Sequence, residues 1–432
     1  MTQRARPRGP LAAAATLSLS TLVVVLSPPT ASPAAAQAQL RTAAEESGFE
    51  RHTRHPELMS YLRAVRASST EMRLGTYGTT YEGRELPYAV FSRPTVTQPW
   101  EAWASGKPVL VLAANVHGDE RTLRESLLIL TRELATPGTE ANALLDELVI
   151  VVVPTINPDG FEASEGGTRG NAWGIDLNRD YAKLEQEAIQ AFVTDVLARW
   201  RPHLSIDGHN GGSYPYNLNY QCTSNAGADP SITALCDDEI FPYIDRRMEE
   251  NDFQSWYYSR GDSTKWMGGG SDVRIGRNYG GLANVVTILY ESPGGQSLET
   301  GVRAGVVGYE AVLEWSRENA ELLMSTVDEA RRTTAAFGDG AWDDFAVQQE
   351  YGPEPYPVEY RIAVREGGEE DEEDAEARIV DIRSDSLMKR PIPTLVRERP
   401  FAYILPRDAV DAVDLIRRHG ITVEVLEEAA EL

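Results

Sequence analysis

The 432 residues include six histidines, few enough for each to be weighed as a ligand or a base. His117 and Glu120 stand three apart in Asn115-Val116-His117-Gly118-Asp119-Glu120, directly after the apolar run Pro108–Ala114. An imidazole and a carboxylate at that spacing on a loop can reach one cation. His209 leaves a second apolar run in Ser205-Ile206-Asp207-Gly208-His209-Asn210. Catalytic zinc takes three protein ligands of these side-chain types and keeps a fourth position for water. Asp207, two residues before His209, falls on the same face of its strand and is placed to orient or electrostatically support such a site. His203 begins that run and faces the opposite end of the sheet. His52 and His55 lack an acidic partner at ligand spacing, and His419 ends a helix, so these three read as structural.

Such side chains need strands that deliver them to one edge. Continuous apolar runs at 108–114, 148–153, 204–207 and 284–290 read as interior strands. Met72 to Ser92 reads as a hairpin turning at Tyr81-Glu82-Gly83-Arg84, and helices are expected over 56–66, 123–135, 184–200 and 304–326. The alternation predicts an α/β fold with a mixed, mostly parallel sheet flanked by helices, in which sites form at the carboxyl ends of strands. A catalytic domain is expected over 39–337, a Gly- and Pro-rich linker over 338–358, and a small C-terminal α+β module over 359–432. Within that module, strands are expected near 378–382, 401–405 and 421–426 around a helix at 409–419.

Three further segments carry recognisable spacing: Asn157-Pro158-Asp159-Gly160, then Arg169 with Gly174-Ile175-Asp176-Leu177-Asn178-Arg179, and Glu291 closing Val285–Tyr290. With His-x-x-Glu and Asp-x-His they form an ordered set across roughly residues 55–325, and in this the chain resembles the zinc carboxypeptidase family. The resemblance implies one Zn2+ per chain held by His117, Glu120 and His209. It implies that Asp176 hydrogen-bonds a ligand histidine, that Arg169 polarises the scissile carbonyl, and that Asn178 and Arg179 grip a terminal carboxylate. It implies Glu291 as the catalytic base, a role that also fits a carboxylate ending so apolar a strand. The family's mobile tyrosine is matched to Tyr279, with Tyr257, Tyr258 and Tyr290 as alternatives. The implied activity is peptide-bond hydrolysis releasing C-terminal residues. An amidohydrolase of the same fold acting on peptidoglycan stem peptides, and a binding protein that lost catalysis, are the competing readings. The intact ligand set and Glu291 argue against the last.

The formal net charge of -25 disfavours nucleic acid as a partner, because phosphate binding wants clustered Lys and Arg. Arg274 and Arg277 lie in a glycine-rich stretch between the third ligand and Glu291, where they would favour an acidic group in a peptide-like substrate or simply offset the acidic surface. Cys222 and Cys236 are the two cysteines; export would allow them to pair, and two free thiols are the alternative. Arg4, Arg6 and Arg8 precede the uncharged stretch 11–26, and small residues follow up to Ala38. That is the pattern of a signal peptide over 1–38, with a secreted or periplasmic product that keeps no membrane span; an uncleaved anchor is the competing reading. N-terminal sequencing of the exported protein should therefore find a start near Gln37 or Gln39, whereas an intact Met1 would support the anchor.

Overall fold

The computed structural model describes residues 1–2, 40–261, 265–336, 344–355, 357–364 and 378–428. The expected signal segment lies outside the described residues, apart from its first two. Ten strands precede residue 300: β1 (Met72–Thr79), β2 (Glu85–Phe91), β3 (Val109–Ala114), β4 (Val149–Val153), β5 (Leu204–Asn210), β6 (Leu218–Gln221), β7 (Ser255–Tyr257), β8 (Ser259–Gly261), β9 (Trp266–Gly268) and β10 (Val286–Ser292). Eight of them form one mixed sheet in the order β1-β2-β4-β3-β5-β10-β6-β7. Its centre is parallel, from β4 through β3 and β5 to β10, and the hairpin β1–β2 and strand β6 add antiparallel flanks.

The apolar runs are continuous because both faces of the central strands are covered. Successive side chains alternate between two cores. Leu110, Leu112, Ile150 and Val152 join Leu123, Leu127 and Val312 from helices Thr122–Ala135 and Leu298–Glu318 on one face. Val109, Val111, Val149 and Val151 join Phe192, Val196 and Trp200 on the other. The expected helix at 304–326 is two helices, Leu298–Glu318 and Ala320–Ala336. Asn319 separates them and turns its side-chain amide back onto the Trp315 carbonyl, closing the first helix. The helix expected at 184–200 begins only at Glu187, because Leu184 adopts a positive φ of 53°. Cys222 and Cys236 are joined in a disulfide.

The C-terminal part differs most from expectation. The segment read as a linker contains strand β11 (Asp344–Pro353), followed by β12 (Val358–Val364), β13 (Arg378–Ser384) and β14 (Leu387–Glu398). β12 and β13 pair with each other, while a second sheet runs β11-β14-β9-β8. Half of its strands thus come from residues before 300. That sheet is completed by β8 and β9, and the stretches 401–405 and 421–426 form no strands. Helix Val410–Arg418 rests Leu415 on the second core, and His419 meets the Tyr279 hydroxyl at 3.0 Å.

The Asn-Pro-Asp-Gly segment fastens the hairpin tip over this scaffold. Asp159 is buried and accepts from the Thr80 hydroxyl (2.6 Å) and the Glu82 N–H (3.1 Å), and it pairs with Arg84 at 2.6 Å. Replacing Asp159 by Ala leaves a buried hydroxyl without its acceptor and should lower stability by ~1–3 kcal/mol. An unchanged denaturation midpoint would show that the tip is held by other contacts.

Candidate metal centre

β3 ends at Ala114, and Asn115 then turns left-handed with φ 60°. Asn accepts that conformation more readily than most residues, and here its amide also organises the loop. Its nitrogen donates to the carbonyls of His117 (2.7 Å) and Glu120 (3.0 Å), and its oxygen accepts from the Thr155 hydroxyl (2.7 Å). The Asn157 N–H donates to the Asn115 carbonyl at 2.9 Å, and the Asn157 amide reaches the Val116 carbonyl at 3.2 Å. A Cβ on Gly118 would lie 2.1 Å from the Gly160 carbonyl carbon, so the two loops close only with glycine there. On the neighbouring strand, His209 falls in register with Glu291 of β10, which puts ligand and carboxylate side by side at the carboxyl ends of parallel strands.

The donor atoms of His117, Glu120 and His209 all lie within 4.8 Å of one another. His117 Nδ1 is 2.9 Å from Glu120 Oε1, His209 Nδ1 is 2.6 Å from Glu120 Oε2, and the two imidazole nitrogens are 3.1 Å apart. Behind the first ring, Asp176 Oδ1 meets His117 Nε2 at 3.0 Å. Behind the second, Asp207 Oδ2 lies 3.0 Å from His209 Nε2, a charge contact that falls short of hydrogen-bond alignment. A carboxylate behind the outer nitrogen leaves the inner lone pair free for a cation, which is how metal-bound histidines are ordinarily oriented. Two imidazoles and a carboxylate converging in this way fit a catalytic zinc ion.

Electrostatics follow from this packing. Burial alone would raise the Glu120 and Asp176 carboxyls, yet the His209 and His117 rings outweigh it and hold both well below the usual range. Burial also opposes protonation of His209, but Asp207 and Glu120 override it and push its pKa up. Glu291 goes the other way. Burial pushes its carboxyl up to about 7, with Glu120 adding to the effect and His209, His117 and Arg260 opposing it. Its Oε2 is buried without a hydrogen-bond partner among the described residues, and a Cβ on Gly211 would come within 2.6 Å of that oxygen.

A cavity of about 480 Å³ opens over the cluster and is lined by Arg169, Asn178, Arg179 and Glu291 together with the three donor residues. Arg169 lies across its rim, 3.2 Å from Glu120 Oε1 and anchored to Asp176 at 3.0 Å. Asn178 is engaged on both ends of its amide: the oxygen accepts from the Gly276 N–H at 2.8 Å, and the nitrogen abuts His209 Nε2 at 3.3 Å. Arg179 bonds only the Asn178 carbonyl (2.8 Å) and makes no ion pair among the described residues.

Tyr279 is not in this cavity. It lies in helix Gly276–Leu282 on the other side of β5, packed on Tyr181 and His419. Tyr258, one of its alternatives in sequence, lines the cavity beside Glu291 instead. Sequence reasoning also missed Asn115 and Asn210. The Asn210 amide holds the start of helix Thr122–Ala135 at Thr122, and its N–H donates to Glu120 at 3.2 Å. Their adjacency to ligand residues was the available signal. His203, just before β5 and at the opposite end of that strand from His209, accepts from the Val109 N–H at 3.0 Å, as a structural histidine does.

Comparison with known proteins agrees with this geometry. Residues 58–298 match the zinc carboxypeptidase family. A carboxypeptidase 2 from Trichophyton rubrum is 26% identical over 400 residues, covering 87% of this chain and 70% of the relative. Carboxypeptidase D from Drosophila melanogaster is 30% identical over 214 residues, 43% of this chain and 14% of that protein. The crystal structure of a carboxypeptidase A from Helicoverpa armigera aligns with 18% identity and a TM-score of 0.48, covering 70% of this chain and 79% of that one. More than half of the chain carries the family's pattern, and the three donors it would require converge; the chain belongs to the zinc carboxypeptidase family and is a zinc metallocarboxypeptidase, a hydrolase of peptide bonds.

Proposed function

We propose that this metallopeptidase is an exported exopeptidase that removes single residues from the C-terminus of peptides. The observation that carries the reading is Arg179: a half-buried guanidinium in the cavity of the three donors, with no carboxylate partner among the described residues. A planar cation there suits a bidentate grip on a substrate's free carboxylate. His117, Glu120 and His209 would hold the zinc, which supplies Lewis acidity toward a carbonyl oxygen and toward water. Arg169, steadied by Asp176, faces the charge that develops on the scissile carbonyl oxygen. Glu291 takes a proton from the attacking water and delivers it to the leaving amine, a task suited to a carboxyl whose pKa burial brings near neutrality. Asn178 keeps His209 and the segment at Gly276 in register and leaves the carboxylate to Arg179. Export rests on the charged and apolar N-terminal segment; among the described residues no helix is long and apolar enough to cross a membrane.

Three outcomes are expected. Glu291→Gln should retain about one zinc per chain by metal analysis while turnover falls on the order of a hundredfold to ten-thousandfold. An active Gln variant would remove Glu291 from the mechanism. In the wild type, a base must be ionised to act, so activity is lost as pH falls through its pKa. Burial, with Glu120 adding to it and His209, His117 and Arg260 opposing it, sets that value at about 7, and a divalent cation held by the three donors would lower it, so the acid limb of kcat/KM should lie below pH 7. Arg179→Met should weaken cleavage of a peptide with a free C-terminus by roughly 2–5 kcal/mol and change its amidated counterpart little. A free-to-amidated ratio unmoved by the substitution would favour an amidohydrolase.

A further inference from the structure

The cavity holds a further buried cation that the reaction as described does not use. Arg277 is 3% exposed, yet no carboxylate pairs with it among the described residues. One terminal nitrogen donates to the Gly270 carbonyl and, at 3.4 Å, to the Ser224 hydroxyl, while its Nε is buried with no hydrogen-bond partner among the described residues. A guanidinium is among the costliest groups to bury unpaired, and structures ordinarily match it with an anion. Here the protein supplies neutral oxygens, which fix the group without cancelling its charge.

The surroundings hold Arg277 in place. The Tyr351 hydroxyl of β11 donates to the Gly269 carbonyl (2.6 Å) and accepts from the Ser224 hydroxyl (2.7 Å), so the C-terminal sheet braces both walls that grip the guanidinium. Gly276, the preceding residue, donates its N–H to Asn178, the residue before Arg179. The two unpaired cations are thereby tied together through one hydrogen bond. A ligand carrying two carboxylates a few bonds apart would satisfy both at once.

Resting on the exopeptidase reading, we infer that Arg277 is a specificity-determining residue that receives the side-chain carboxylate of the departing residue, so that the substrates are peptides ending in Glu or Asp. Arg179 then takes the α-carboxylate and Arg277 the second one. Arg260 at the cavity's rim and Arg274 outside it are exposed and solvated, so they attract the same substrates without the fixed position of Arg277.

The experiment uses the full mature chain, zinc-loaded, with three peptides identical except for C-terminal Glu, Leu or Lys. The wild type should favour Glu over Leu by about 30-fold or more in kcat/KM, the scale of one buried charge pair, and should cleave Lys most slowly. In Arg277→Met that Glu-to-Leu ratio should collapse toward one, mainly through KM for the Glu peptide. Arg277→Lys, which keeps the charge but not the fork, should keep part of the ratio and serves where the Met variant does not fold. A wild type that releases Leu or Lys as well as Glu overturns the inference and leaves the exopeptidase reading standing. So does a folded, zinc-loaded Arg277→Met whose ratio matches the wild type. A wild type that trims none of the three overturns both.

Discussion

Two imidazole nitrogens held 3.1 Å apart, both facing one buried carboxylate, are the constraint on which the rest of this structure turns. Without a cation between them, lone pairs at that distance repel unless a proton intervenes, and Asp207 and Glu120 favour that proton by pushing the pKa of His209 up. The scaffold has to hold the rings there regardless. It does so with Asp176 and Asp207 behind them, so four carboxylates, counting Glu120 and Glu291, gather around one small volume. A divalent cation is what makes that concentration of negative charge tolerable.

Holding those side chains requires backbones to approach more closely than side chains normally permit. The loop after β3 touches the loop after β4 at Gly118 and Gly160, and the loop after β5 touches Glu291 at Gly211. Asn115 and Asn157 supply the hydrogen bonds that a regular element would have supplied. Glycine and asparagine in these loops therefore determine where the ligands point as much as the ligands' own rotamers do. Catalytic metal sites gain affinity and rate from such preorganisation, because nothing needs to be reordered when substrate arrives.

The parallel centre of the sheet and the placement of His117, Glu120, His209 and Glu291 at its carboxyl edge were legible in sequence, because uninterrupted apolar runs announce buried strands and polar residues at their ends stand out. Tyr279 was not legible. Its position depends on the turn that sends helix Gly276–Leu282 behind β5, and no periodicity encodes that. Nor was β11, whose Gly- and Pro-bearing sequence has the composition of a linker and becomes a strand only because β14 offers an edge to pair with. The buried state of Arg277 was hidden for the same reason: its surroundings come from β9, β11 and the loop after β6, segments far apart in the chain.

The shared sheet β11-β14-β9-β8 has a consequence for how this enzyme comes to exist. Met267 and Gly268 of β9 form part of the cavity wall, and the residues of β14 that pair with β9, Leu387 and Met388, are made only afterwards. The metal-binding core is complete some hundred residues earlier in synthesis. A chain emerging N-terminus first therefore assembles its reactive centre before it can enclose a substrate. This order of events works as an intrinsic delay: the wall around the hydrolytic centre stays unfinished until the strand that backs it has been made and paired.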